Sequence, residues 1–188
     1  MCIRRVLLVL MTVIVMTASS AFAQAQDDPK GGLILGAGPT YLTVPKGVDR
    51  SVGAGFTAGL FAVLPITKMY KLQPELQWEH QQSKVRGADR KFDYLNIPLL
   101  VRMSLFKGLY INEGPAFHIP LKASAGGVDV KDNTKSNVSI TIGVGKRAGR
   151  VGIEARWDSG LRQTQKTVHA GDVATRPRSL LGVVAIGF

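Results

Sequence analysis

Five charged residues occupy polar positions in stretches that alternate between apolar and polar side chains, and they could form one polar site. Glu75 and Glu79 lie in one such stretch, and Arg102, Glu154 and Arg156 lie in two later ones. Successive side chains of a β-strand point to opposite sides, so all five fit the interior of a closed sheet. Charges in such an interior persist mainly when they neutralise one another. We therefore predict an interior salt-bridge and hydrogen-bond network, with a small-ligand site or a proton path as the alternative.

The other candidates for chemistry are three histidines and one serine. His80, His118 and His169 are far apart in sequence, whereas a zinc site needs clustered ligands. We expect these histidines to be exposed or interfacial, and we predict no metal and no cofactor. Ser83 lies near His80 and Glu79, which are the residue types of a lipid-modifying enzyme, but such a triad is defined by geometry and not by neighbouring positions. We predict a protein that is not an enzyme and keep this enzyme class as an alternative.

The elements that must position these residues are predicted to be strands. In the stretch 71–83, Leu72, Leu76 and Trp78 fall on one side and the two glutamates fall on the other, which suits lipid outside and a polar interior. The same alternation recurs along the chain. The eight predicted strands cover about 31–43, 52–64, 71–83, 94–103, 109–121, 138–144, 151–158 and 179–188.

The connections between these strands alternate between short and long, as they do in membrane barrels. Short links are predicted at 65–70, 106–108 and 146–150, and longer polar ones at 45–51, 84–91, 123–137 and 159–178. The long links carry basic residues that would meet lipopolysaccharide phosphates or form a solvated surface: Lys46, Arg50, Lys84, Arg86, Arg90, Lys91, Lys131, Lys135, Arg162, Lys166, Arg176 and Arg178. Aromatic residues near strand ends are expected to form interfacial girdles: Tyr41, Tyr70, Trp78, Phe106, Tyr110 and Trp157.

Residues 1–23 have the layout of a secretory signal peptide, with two arginines, an apolar run and the small residues Ala21 and Ala23 before the expected cleavage point. Residues 24–30 would form a short N-terminal segment and residues 31–188 the barrel domain. Removing the signal lowers the formal net charge from +11 to +9, because it takes away Arg4 and Arg5 and no acid. Export makes anionic lipid head groups or lipopolysaccharide the more accessible partners of a basic protein, and nucleic acid a weak alternative. The export signal and the strand pattern together predict the outer membrane as the location.

The chain ends in an apolar row that is predicted to face lipid. Val184, Ile186 and Phe188 alternate along the last strand, and they resemble the terminal signal that the barrel-assembly machinery reads during insertion. The glycine common in such signals is displaced here to Gly182. We expect this last strand to pair with the first.

Two motifs resemble the PorT-type outer-membrane β-barrel family. They are Leu72-Gln-Pro-Glu-Leu-Gln-Trp78 and Tyr94-Leu-Asn-Ile-Pro-Leu-Leu100. The resemblance implies an eight-stranded barrel whose biochemical role is usually unassigned. Glu113 departs from the pattern: it takes the place of a small residue and shares the exterior side with Ile111 and Phe117. Because a charge facing lipid is costly toward the midplane, we expect a bulge or a shallow position near Gly114.

The sequence thus predicts an all-β protein, an eight-stranded antiparallel up-and-down transmembrane β-barrel. The 165 residues that remain after signal removal fit eight membrane strands and are too few for a porin. At this size the interior is filled by side chains or holds one small ligand. We predict a monomer with a structural, adhesion or envelope-interaction role. A soluble lipocalin-like binder is the alternative, and it would place Leu72, Leu76 and Trp78 inside.

Overall fold

The fold is a closed antiparallel barrel, seen in a computed structural model that describes residues 29–43, 50–85, 87–161 and 176–188. Its eight long strands are β1 (Gly31–Thr43), β2 (Gly53–Ala62), β3 (Tyr70–Val85), β4 (Ala88–Ser104), β5 (Leu109–Ala125), β6 (Asn137–Ala148), β7 (Val151–Gly160) and β8 (Arg176–Gly187). Short strands at Arg50–Ser51, Leu64–Pro65 and Val128–Asp129 and 3-10 turns at Phe106–Gly108 and Lys131–Asn133 complete the described chain. No helix in these ranges is long and apolar enough to cross a membrane.

Each strand pairs with the next one along the chain, and β8 pairs with β1, which closes the sheet. The expected partnership of the last and first strands is therefore confirmed, with Leu33 opposite Ile186. Following paired residues once around the barrel from Tyr70 leads back to β3 at His80, ten residues further along. This stagger tilts the strands against the barrel axis. We call the end with the chain termini periplasmic and the other end extracellular, following the orientation that the sequence predicts.

The two sides of the sheet differ as the alternation predicts. On β3, Leu76 and Trp78 are 50% and 47% exposed, whereas Glu75 and Glu79 are 3% and 2% exposed. This is the opposite of the soluble-binder arrangement, which is therefore wrong. We call the outward ring of apolar side chains the apolar belt. Its large members are Leu33, Leu35, Phe56, Leu60, Leu76, Trp78, Leu99, Val101, Phe117, Ile119, Ile140, Ile142, Val144, Val151, Ile153, Trp157, Leu180, Val184 and Ile186.

Two apolar clusters lie inside the barrel beside the polar residues. The outer apolar cluster, near the extracellular end, consists of Leu42, Val85, Phe92, Tyr94 and Ala123. The inner apolar cluster, on β1, β2 and β8 and at the residue directly after β2, consists of Ile34, Phe61, Val63, Leu181, Val183 and Ala185. The buried charged residues of the described chain all lie on β3 to β7, so one side of the interior is mainly apolar and the other carries the charges.

The connection predicted at 84–91 is not a long loop. Val85 pairs with Ala88, so β3 and β4 continue past the apolar belt and meet at a tight turn. Gly87 has a φ of +76°, a conformation that glycine adopts without steric cost. The polar composition indicated a loop, but a hairpin that extends into water is polar on its outward side while its backbone stays paired. Lys84 and Lys91 are therefore strand residues.

The bulge expected near Gly114 is also wrong. The pairing of β5 with both neighbouring strands keeps one register past this point, and Glu113 lies between Val101 and Ile142 on the outside of the barrel. The irregularity lies further along, where Leu121 is the extra residue opposite Asp93 and its neighbour. It follows Pro120, which has no N–H to donate to the ladder, and prolines in sheets concentrate at such bulges.

Glycine makes room for larger side chains in the interior. A Cβ added at Gly143 of β6 would lie 2.0 Å from Oε1 of Glu154, whereas one added at Gly182, on the outside of β8, has no neighbour closer than 3.8 Å. We predict that Gly143→Ala lowers the free energy of unfolding by about 1–3 kcal/mol, because Glu154 must move. Gly182→Ala should change it by less than about 0.5 kcal/mol. Urea unfolding in lipid vesicles, followed by heat-dependent gel migration, measures both; equal effects would contradict this packing account.

Candidate functional site

The centre of the interior is an ion pair that crosses the barrel. Arg156 on β7 and Glu75 on β3 belong to strands on opposite sides of the eight-stranded ring. The guanidinium donates from NH1 and NH2 to the two carboxylate oxygens, at 2.7 Å and 3.1 Å. Its Nε donates to Oε1 of Glu154 at 2.8 Å. One arginine thus joins two carboxylates from opposite walls, in the paired geometry that gives guanidinium–carboxylate contacts their specificity.

Glutamine side chains of the same strand complete the surroundings of Glu75. Nε2 of Gln73 donates to Oε1 at 2.5 Å, and Nε2 of Gln77 donates to Oε2. Gln77 in turn accepts a hydrogen bond from Thr57 of β2 at 2.7 Å. The buried carboxylate therefore has charged and neutral donors on both oxygens, which is the condition under which a buried charge is tolerated.

Arg102 reaches the same group through an amide. Its Nε donates to Oδ1 of Asn112 at 3.2 Å, and Nδ2 of Asn112 donates to Oε2 of Glu154 at 2.8 Å. The guanidinium also lies over the ring of Tyr110, 4.2 Å from its centroid. Tyr110 is only 3% exposed, so its predicted place in an outer aromatic girdle is wrong. The ring packs inside because Gly145 leaves space for it: a Cβ there would lie 2.4 Å from the phenol ring.

A second polar layer lies nearer the extracellular end and centres on His118 of β5. Its Nδ1 lies 3.1 Å from Oε2 of Glu79, and its Nε2 lies 2.8 Å from Oγ of Ser139. Ser139 donates to Oδ2 of Asp158 at 2.9 Å, and Thr141 donates to the same oxygen at 2.6 Å. The layer therefore connects β3, β5, β6 and β7. His118 is 2% exposed, which corrects its expected exposed or interfacial position.

Most residues of this layer were not predicted from the sequence, although one signal was available. Asp158 follows Glu154 and Arg156 at the same two-residue spacing along β7, so it belongs to the same side of that strand. His118 and Ser139 could not be placed beside it without the register between β5 and β6.

The serine and histidine suggested for a rim enzyme are not brought together. His80 points outward and pairs with Asp93 at 2.7 Å, whereas Ser83 is buried inside. His118 does contact both Glu79 and Ser139, as the histidine of a catalytic triad would contact its acid and its serine. However, the hydroxyl of Ser139 donates to Asp158, whereas a serine nucleophile must donate its hydrogen to the histidine. The described residues contain no group of three or more His, Cys, Asp or Glu arranged to hold a metal ion.

The buried acids and bases of the described chain are close to balance. Four are acidic, Glu75, Glu79, Glu154 and Asp158, three are arginines, Arg102, Arg147 and Arg156, and one is His118. Both layers place opposite charges or hydrogen-bond donors against each carboxylate. The geometry supports a structural network that holds opposite walls together.

The remaining predicted residues lie near the chain ends or outside the described ranges. Ala21 and Ala23, the expected cleavage residues, lie outside the described residues, as does His169. Val184 and Ile186 are 40% and 44% exposed on the outside of β8, and Phe188 is 73% exposed directly after it. The backbone N–H of Phe188 donates to the carbonyl of Gly31 at 3.0 Å, so the last residue is tied to the first strand.

A closed eight-stranded barrel with an apolar outer belt and a polar network inside defines a transmembrane barrel of the outer-membrane class. The chain belongs to the family described as outer membrane protein beta-barrel domain, whose model matches residues 22–166. This family and the apolar belt support a location in the outer membrane. A comparison with curated proteins gives no match.

The comparison with solved structures gives matches of low sequence identity. Neisserial surface protein A (NspA) matches with a TM-score of 0.57 and 14% identity, over 85% of this chain and 97% of that chain. Ail of Yersinia pestis, solved in complex with the heparin analogue sucrose octasulfate, has a TM-score of 0.49 and 11% identity, over 85% of this chain and 98% of that chain. At these identities the likeness to NspA concerns the fold alone.

Removing the central arginine tests the network. We predict that Arg156→Ala lowers the free energy of unfolding by about 3–5 kcal/mol, because it leaves the carboxylates of Glu75 and Glu154 buried without their cation. Arg156→Lys should fall between this variant and the native protein, since lysine keeps the charge but loses the paired geometry. Arg150→Ala, at an exposed turn, is the control, and a loss for Arg156→Ala no larger than the control's would show that the ion pair does not stabilise the barrel.

Proposed function

We propose that this protein is an envelope-interaction barrel that works from its outer surface, holding the phosphates of lipopolysaccharide against a cationic extracellular rim, and that it is neither a channel nor an enzyme. The observation that carries the proposal is the abrupt change of outward side chains at the top of the apolar belt. On β3 the outward row passes from Trp78 to His80 and then to Lys84, and on β8 it passes from Leu180 to Arg178.

The cationic rim consists of Lys84, Lys91, Lys122, Arg176 and Arg178, all outside the apolar belt on the extracellular side. Lys91 and Lys122 line one surface cleft together with Asp93. Lipid phosphates lie directly above the hydrocarbon layer, at the depth where these side chains begin. Long basic side chains can bury their stems against the belt and place their charge among phosphates. The rim also contains acids, since Lys84 lies 3.7 Å from Asp89, so its recognition is local and not a uniform positive field.

The side-chain contacts across the interior support the proposal that the barrel does not conduct ions. The Glu75–Arg156 pair and the Glu79–His118–Asp158 layer both join separated walls, at distances of 2.7 Å to 3.7 Å. An eight-stranded barrel has room inside for side chains or one small ligand and not for an aqueous channel. Near the extracellular end, the buried side chains of the outer apolar cluster make the interior unfavourable for water. We propose on these grounds that the interior is filled.

Two narrower assignments belong to the same proposal. A PorT-type affiliation is supported by the two motifs, Leu72–Trp78 and Tyr94–Leu100, which lie on the adjacent strands β3 and β4. Recognition by the barrel-assembly machinery is supported by the outward row of Val184, Ile186 and Phe188.

Binding to lipopolysaccharide tests the rim. In the triple variant Lys84→Gln, Lys91→Gln and Lys122→Gln, we expect the affinity of the detergent-solubilised protein for lipopolysaccharide to fall about tenfold or more, because three charges near an anionic surface are removed. The matched control replaces three exposed basic residues of the periplasmic end: Lys68→Gln, Lys107→Gln and Arg150→Gln. Titration at low and high salt, with dephosphorylated lipid as competitor, measures the effect. Equal losses in both triple variants, or undiminished binding to dephosphorylated lipid, would contradict the proposal.

Electrical recording tests the closed interior. We expect the folded protein in planar bilayers to give no regular conductance steps, because paired charges and apolar side chains cross the interior. A porin inserted under the same conditions is the positive control, and heat-dependent gel migration confirms that the barrel is folded. Reproducible steps from folded protein would show that the interior conducts.

A further inference from the structure

Glu113 is a charged residue inside the apolar belt. Its paired neighbours across the sheet are Val101 and Ile142, and the next outward residues on its own strand are Ile111 and Pro115. The side chain is half-buried among them. Within the described part of the chain, no ion pair or hydrogen bond involves its carboxylate, and the other outward residues of the belt are apolar.

The depth of Glu113 makes lipid a poor environment for it. The residue lies four positions into β5, which begins at Leu109. At about 3.3 Å per residue and a tilt of about 40°, this corresponds to roughly 10 Å above the periplasmic end of the strand. The outward residues on either side of it along β5 and its paired neighbours on β4 and β6 are apolar, so it lies within the apolar belt, where a carboxylate facing acyl chains is destabilising. A cation from another protein surface would remove this cost.

The same surface carries such a cation. Lys146 of β6 points outward, is exposed, and pairs with Leu109, so it begins nearer the periplasmic end than Glu113. Midway between the two charged residues lies the outward pair of Ile111 and Val144. We call this surface the β5–β6 face.

A two-fold axis through that midpoint brings the two charges together. In a two-fold interface, residue i meets residue j of the partner and j meets i. An axis parallel to the membrane normal and passing beside Val144 brings Glu113 of one copy to the same side of the axis as Lys146 of the other, and the reverse, with the lysine nearer the periplasmic end. The lysine stem can extend along the apolar surface and cover the difference in height. Around the axis, Ile111 and Val144 would pack against their own copies.

We propose that the β5–β6 face is the interface of a symmetric homodimer, closed by two Glu113–Lys146 ion pairs within the membrane. A second copy is favoured over other occupants because this one face carries both complementary charges, in the arrangement that two-fold symmetry requires. The proposal replaces the expectation of a monomer, which was based on a sequence without an oligomer signal. It does not depend on lipopolysaccharide binding.

Disulfide trapping in outer membranes tests the dimer. The single native cysteine, Cys2, is replaced by serine, and one cysteine is introduced by Val144→Cys, beside the axis. The control is Leu33→Cys, which is also outward in the apolar belt but lies on β1, on the opposite side of the barrel. Under mild oxidation we expect a covalent dimer from Val144→Cys and little from Leu33→Cys. Equal yields, no dimer, or trapping of Val144→Cys to a different protein would overturn the proposal.

Charge exchange separates the ion pairs from general crowding. In the Val144→Cys background, Glu113→Gln should lower the dimer yield about three- to tenfold, in line with the worth of polar contacts between membrane segments. Glu113→Lys alone and Lys146→Glu alone should each abolish trapping. The double exchange should restore it, because the pair is rebuilt with reversed sign. Heat-dependent migration of every variant confirms folding, and an undiminished yield in Glu113→Gln or failure of the folded double exchange would refute the pairing.

Discussion

Closure of β8 onto β1 is the constraint on which the rest of this structure depends. In a bilayer every backbone N–H and C=O must be paired within the protein, so a sheet that spans the membrane has no open edge. The chain meets this condition with eight strands, and the ten-residue stagger between Tyr70 and His80 sets the tilt of those strands. Within the membrane-spanning part of the closed sheet, each side chain points either toward lipid or toward a narrow interior.

The narrow interior explains why its charges come in connected sets. A carboxylate on β3 cannot reach bulk water, but it lies within reach of the opposite wall, so Glu75 is neutralised by Arg156 across the barrel and not by a neighbour on its own strand. Arg156 then also satisfies Glu154, and Arg102 joins through Asn112. Such a network contributes less to stability than its number of contacts implies, because each charge first loses its hydration. Its clearest consequence is geometric: it fixes the distance between strands that share no backbone hydrogen bonds.

The fold could be predicted from the sequence because the two-residue period is a local property. The alternation of Leu76 and Trp78 with Glu75 and Glu79 indicates that the segment is a strand, which side of it each residue occupies, and that one side faces lipid and the other a polar interior. Properties that depend on register could not be predicted in this way. Tyr110 was placed outside because it lies near a strand end, and the glycine that accepts its ring is on another strand. The sequence predicted a bulge near Gly114 because the charge of Glu113 would face lipid, but the backbone there is regular and the bulge lies at Leu121. An unfavourable environment of a side chain does not reveal where the backbone pairing is irregular.

The outside of the barrel follows the same electrostatic rule as the inside, but with different partners available. Inside, a charge can be neutralised by the opposite wall of the same chain, and the buried acids and bases are close to balance. Outside, a strand faces away from every other strand, so no change of rotamer brings an opposite wall into reach. The basic residues of the rim lie beyond the apolar belt, whereas Glu113 lies among apolar neighbours such as Val101 and Ile142. A carboxylate in that position is compatible with a stable barrel when a second protein surface supplies the missing charge, and Lys146 makes a copy of the same chain sufficient for that purpose.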